Sequence, residues 1–163
     1  KHGDSMGTGS VIEVGDIQVM SAGTGVSHSE MNAYEDLTTS FFQIWIIPNQ
    51  LNVEPRYQQI SMVDFAVENE LYQILSPSKD DQGVWIHQNA WMMKGNFTEE
   101  KEVNYTIHQP ENGIFMMVVE GEIIFEGKIL ERRDTIEISN AEFIQFKSLP
   151  NTEVLLIEVP MNL

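Results

Sequence analysis

Gly15-Asp16-Ile17-Gln18-Val19-Met20-Ser21-Ala22-Gly23-Thr24-Gly25-Val26-Ser27-His28-Ser29-Glu30 is the stretch on which the fold turns. Gly15-Asp16 is a turn pair, because glycine accepts a positive φ and aspartate bonds its own backbone. Polar and apolar side chains then alternate through Ile17-Gln18-Val19-Met20, the period of a half-buried strand. Ala22-Gly23-Thr24-Gly25 is a second tight turn, and it delivers the chain to His28. On extended backbone, residues i and i+2 leave on one face, so His28 and Glu30 point the same way.

The same grammar continues on both sides. Gly3 to Gly9 carries turn chemistry and is followed by the short apolar pair Val11-Ile12. Phe41-Phe42-Gln43-Ile44-Trp45-Ile46-Ile47 is apolar on both faces apart from Gln43, the pattern of a strand covered on both sides, and Pro48 closes it. Further strands are predicted over residues 71–75, 84–88, 91–94, 103–108, 114–119, 122–125, 135–138, 143–146 and 154–159. Turn residues separate them at roughly the 8–12-residue spacing of a sandwich or barrel. No segment holds a long 3.6 period, and residues 64–69 allow at most one helical turn. The chain is predicted to be all-β.

Composition narrows the function classes. Nine basic side chains stand against 25 acidic ones, a formal charge of -16. A field of that sign repels phosphate backbones and anionic headgroups, which argues against direct partnership with nucleic acid or a membrane surface. With no cysteine, neither a disulfide framework nor a thiolate metal site can form. No apolar run approaches the roughly 20 residues of a membrane span, and the expected location is cytoplasmic. The nine methionines and three tryptophans read as core filler rather than a cofactor box.

An internal repeat sharpens the reading. Val11-Ile12-Glu13 aligns on Ile129-Leu130-Glu131, Asp16 on Asp134 and Ser21 on Ser139. Later, Phe41 to Pro48 corresponds to Glu153 to Pro160, both predicted strands ending in proline. Identity is low, but turn, strand and terminal proline recur in the same order. Two similar β units in one chain is the economical account.

Gly15, Ser21-Ala22-Gly23 and His28 resemble the second conserved motif of cupin barrels, with Ser21 replacing a proline and two extra residues before the histidine. Both departures are shared by the pirin branch. His2-x-Asp4-Ser5-Met6-Gly7, the stretch from Gly15 through Met31, Gln43-x-Trp45 and Glu54-Pro55-Arg56-Tyr57 are similar to pirins throughout, and Leu75-Ser76-Pro77 is consistent with them. The Met-Ser-Ala-Gly-Thr-Gly wording at 20–25 is shared especially with the bacterial pirin-like quercetinases. The resemblance implies double-stranded β-helix barrels in a bicupin. It further implies that residues 1–60 are the C-terminal part of a metal-binding-type first barrel, cut open ahead of Lys1, and that residues 61–163 are a second barrel.

In pirins one metal, usually iron, sits in the first barrel on a His-x-His pair and on the His and Glu of a His-x-Glu motif. Carried over, the metal ligands are His28 and Glu30, with Glu30 also a candidate catalytic base. A lone His-x-Glu is common, and the motif around it carries the assignment. Imidazole with carboxylate suits iron, manganese, nickel or zinc better than calcium. The His-x-His strand is not in this sequence. Two protein ligands fall below the usual number, so weak or absent metal binding is expected from this chain alone. His2 occupies a position where the family has a histidine that is not a ligand, and is expected to make turn or rim hydrogen bonds.

The second unit lacks the donor set. The repeat puts Phe146 where His28 stands and Ser148 where Glu30 stands. His108-Gln109-Pro110 lies where a His-x-His pair would be, with proline in the second place, so His108 and the isolated His87 read as ordinary polar residues. The resemblance implies a metal-dependent quercetin 2,3-dioxygenase acting on a small aromatic, flavonol-like substrate with dioxygen. Its alternative is a non-enzymatic, redox-sensing regulatory module that binds a protein partner. An opened barrel exposes strand edges and apolar interior, which predicts a homo-oligomer formed through that opening.

Overall fold

The computed structural model describes residues 1–162, and among them it holds strands and turns with no helix. None of the described residues forms a helix long and apolar enough to cross a membrane. The first part of the chain supplies β1 (His2–Asp4), β2 (Gly9–Ser10), β3 (Asp16–Ser21), β4 (His28–Glu30) and β5 (Arg56–Ser61). The remainder supplies β6 (Leu71–Ser76), β7 (Val84–Trp85), β8 (Trp91–Phe97), β9 (Lys101–Thr106) and β10 (Asn112–Glu120). After these come β11 (Glu122–Phe125), β12 (Lys128–Glu131), β13 (Thr135–Ile138), β14 (Phe143–Ser148) and β15 (Thr152–Pro160).

Burial on two faces explains the long apolar runs. A six-stranded sheet runs in the order β13-β10-β15-β8-β6-β7, and a four-stranded sheet in the order β12-β11-β14-β9. Side chains alternate across each strand, so Ile114, Met116 and Val118 of β10 and Val154 and Leu156 of β15 enter the core between the two sheets. The intervening Leu155 and Ile157 of β15, with Phe115 and Val119 of β10, pack in a second core on the opposite face. That second core is closed by Ile17 and Val19 of β3, Ile60 of β5, and Ile46. The central sheet is therefore sandwiched, with β3, β5 and Ile46 packed against its outer face.

The internal repeat survives as geometry. Asp16 N–H donates to the Glu13 carbonyl at 3.1 Å, and Asp16 Oδ2 accepts from Glu13 N–H at 3.0 Å. Asp134 and Glu131 make the same reciprocal pair, both bonds at 2.9 Å. Ahead of each aspartate sits a residue of positive φ, Gly15 at 92° and Arg133 at 72°. The three-stranded sheet β2-β1-β4 also repeats the order β12-β11-β14.

One predicted strand does not form. Residues 41–47 have no ladder partner among the described residues, and Phe41, Phe42, Trp45 and Ile47 are exposed, Trp45 by 88%. Their repeat counterpart β15 is a strand because β10 and β8 bond it on both sides. The described residues of the first unit offer no equivalents of β10 and β8. The segment is tethered by Gln88 Nε2, which donates to the Ile47 carbonyl at 2.8 Å, and by Asn49 N–H to the His87 carbonyl at 2.7 Å.

Candidate metal centre

The site is built on the β1–β4 pair. These strands run antiparallel with His2 opposite Glu30 and Asp4 opposite His28. Directly opposed residues share a face, and so do residues two apart on one strand. Four polar side chains, His2, Asp4, His28 and Glu30, consequently project from one face. The turn that brings β4 into place depends on Gly23, whose φ is 54°; a Cβ there would collide with the Val53 carbonyl oxygen.

His2 is buried, with 4% of its surface exposed. Its Nδ1 lies 2.8 Å from Glu30 Oε1 and its Nε2 lies 3.0 Å from Asp4 Oδ2. Ionised carboxylates only accept, so both ring nitrogens donate and the bridge is imidazolium between two carboxylates. Tyr57 stacks on the ring at a centroid distance of 4.6 Å. Asp4 is fixed in turn by the Met6 and Thr8 N–H groups, which reach its Oδ1 at 2.9 and 3.0 Å. Gln18 on β3 donates from Nε2 to Glu30 Oε1 at 2.7 Å.

Burial would raise the Glu30 pKa, but hydrogen bonds from Gln18 and His2 and the His2 charge outweigh it and hold the carboxyl below its ordinary value. Burial likewise disfavours the charged His2 ring. Its bonds to Asp4 and Glu30, with their charges, reverse the balance and raise its pKa. Ligand atoms of His2, His28 and Glu30 all lie within 4.8 Å of one another. His28 and Glu30 are thus brought together as their spacing predicts. His2 differs from expectation in depth: it is a buried bridge to Glu30 rather than a rim residue. Gln18 belongs to the pirin-like stretch, but residue order gave it no role toward Glu30, because that bond exists only once β3 is set beside β4.

The positions equivalent to His28 and Glu30 in the second unit cannot hold a metal. Phe146 is 2% exposed in the core and meets Phe97 edge-on at 6.4 Å, and Ser148 donates to the Leu149 carbonyl. His108 stacks flat on Trp91 at 4.3 Å, and its Nδ1 donates to Glu158 at 2.9 Å. Glu158 is fully buried and also accepts from Tyr105 Oη and Asn112 Nδ2, both at 2.6 Å, and from the backbone N–H of His108 and Gln109. All of its partners are donors, so this network is a latch holding the loop after β9. Residue order gave no sign of it beyond one glutamate in the apolar run of β15.

Two packed β sheets without helices, extended by a smaller copy of part of themselves, are a cupin-type fold, and solved relatives agree. The chain superimposes on YhhW from Escherichia coli with a TM-score of 0.84 at 29% identity, covering 98% of this chain and 66% of that one. The same bacterial pirin solved in complex with nickel(II) matches with a TM-score of 0.82. The pirin profile matches residues 1–46, and that of the quercetinase C-terminal cupin domain matches residues 73–159. Quercetin 2,3-dioxygenase of E. coli is 30% identical over 98% of this chain and 68% of its own length. A pirin-like protein of Caulobacter vibrioides is 27% identical over 96% of this chain and 67% of its own. The chain belongs to the pirin family, and it spans about two thirds of the length of these relatives.

The residues present fit a divalent transition metal in their chemistry: one exposed imidazole and one carboxylate with an oxygen to spare, converging on a single face.

Proposed function

We propose that the protein is a metal-dependent oxidoreductase of the quercetin 2,3-dioxygenase type, with His28 and Glu30 among its metal ligands and Glu30 as the base toward a flavonol hydroxyl. The observation that carries this is the convergence of His28 and Glu30 beside the buried His2, in a chain similar to an E. coli protein of that activity. A bound divalent metal supplies Lewis acidity and, where it is iron or manganese, redox capacity. Iron is the first choice, and nickel, manganese and zinc suit the same donors. The residues of the chain divide the remaining work. Gln18 and His2 saturate Glu30 Oε1, so Oε2 is the atom left to meet a cation or take a proton. Tyr57 closes one side of His2 and shields the bridge from water.

The test is dioxygen consumption by the full-length, iron-loaded protein with a panel of flavonols. Flavonol-dependent uptake that is lost in Glu30→Gln supports the assignment. No uptake with any flavonol removes it and leaves the regulatory, protein-binding reading ahead. The negative field of the chain would direct such a role toward a protein rather than DNA. The apolar side chains exposed along residues 31–51 support self-association as a further part of the proposal.

A further inference from the structure

The two oxygens of Glu30 have unlike surroundings. Oε1 takes both hydrogen bonds, from His2 Nδ1 at 2.8 Å and Gln18 Nε2 at 2.7 Å. Oε2 takes none among the described residues. His2 is itself held from three sides: Asp4 faces its other nitrogen, Tyr57 covers its face, and its register opposite Glu30 is set by the β1–β4 ladder. Asp4 is held by the hairpin turn through Met6 and Thr8. An unbroken series of contacts thus runs from the turn to one oxygen of Glu30. A glutamate side chain loses rotamer entropy when it is fixed. Here two bonds already hold one of its oxygens.

We infer that His2 is a positioning residue: through Nδ1, and with Gln18, it fixes Glu30 by Oε1 so that Oε2 is presented in the cluster with His28. The inference deepens the reading of Glu30 as a metal ligand and rests on it. His2 is not itself a ligand in this arrangement. Each ring nitrogen already faces a carboxylate oxygen, and turning one to a cation would leave Asp4 or Glu30 without its partner. Groups that orient a ligand in this way change metal affinity by about 10- to 100-fold when removed.

Two substitutions separate the nitrogens. In His2→Asn the amide N–H takes the place of Nδ1, toward Glu30; in His2→Gln it takes the place of Nε2, toward Asp4. Each is compared with the parent chain by metal-free crystal structure and by calorimetric titration with nickel(II). The expected result is that His2→Asn keeps the Glu30 carboxylate in place and binds within about threefold of the parent. His2→Gln should release the carboxylate and bind about 10- to 100-fold more weakly. Equal loss in both with Glu30 unmoved would make His2 a ligand and overturn the inference, as would unchanged affinity and an unmoved Glu30 in His2→Gln. If the parent chain takes up no nickel, the metal reading fails by itself, and the Glu30 conformations in the two metal-free variants still decide the positioning role. Should either His2 variant fail to fold, Gln18→Leu removes the second donor alone. Several-fold weaker binding with a loosened Glu30 is then expected, and an unmoved Glu30 contradicts the inference.

Discussion

The Glu158 carboxylate has no exposed surface, yet it is ionised, because Tyr105, Asn112, His108 and two backbone N–H groups all direct protons at it. Burial alone would raise its pKa; the bonds from Tyr105, His108 and Asn112 outweigh that and hold it below the ordinary glutamate value. The partner effect appears on Tyr105, whose pKa is pushed up by burial and by the hydrogen bond to Glu158. Replacing Glu158 by Gln puts an amide NH2 against groups that only donate here, and should cost about 2–4 kcal/mol in urea unfolding. The pH arm has a definite sign. A carboxyl with a depressed folded pKa binds fewer protons folded than unfolded, so its contribution is full above the unfolded value of about 4.3 and disappears as pH falls through the lower folded value. Between those limits the parent should lose stability toward acid faster than Glu158→Gln, and parallel curves would remove the latch. At this scale the sequence was unevenly readable. His28 and Glu30 were visible because the stretch around them resembles pirins, and strand period then puts the two on one face. The partners of Gln18 and Glu158 were not, because they lie on segments that only the tertiary fold brings near.

Strands were legible wherever alternation was strong and a neighbour existed. The turn at Asp16 and its echo at Asp134 were legible too, since an aspartate closing its own turn needs nothing from the rest of the chain. Residues 41–47 carry as good a strand pattern as β15 and form none, because a ladder is a property of two segments and the pattern reports only one. Amide hydrogen exchange checks the distinction: residues 41–47 should exchange within the loop regime, while β10 and β15, bonded on both sides at the centre of the six-stranded sheet, should be protected near the global unfolding limit. Slow exchange at 41–47 would mean the segment has found a partner strand. β14 offers a second test of element against pattern. Phe146→His with Ser148→Glu copies the β4 spacing into the second barrel, but both positions are buried, one in the apolar core. The double variant should lose about 3 kcal/mol or more and gain no nickel binding by calorimetry.

Two forces of opposite sign govern the whole molecule in solution. The acidic excess of -16 makes copies repel. Against it stand Tyr34, Leu37, Phe41, Phe42, Trp45, Ile47 and Leu51, exposed along one segment that the second barrel grips on a single side through Ile46. Burying one such aromatic or branched side chain is worth about 1.5–3 kcal/mol, so a handful of them shared between two copies outweighs a charge repulsion acting through solvent. Salt shortens the reach of that repulsion to about 8 Å at 0.15 M while leaving the apolar term intact. Association should therefore strengthen from low to moderate ionic strength, opposite to an interface held by ion pairs. Sedimentation velocity across protein and salt concentration reads this directly. Trp45→Glu with Phe41→Glu, both at exposed positions that contribute nothing to either core, should return the chain to a monomer with an unchanged melting temperature. A parent chain that stays monomeric at tens of micromolar in moderate salt would show that the exposed segment is not an association surface.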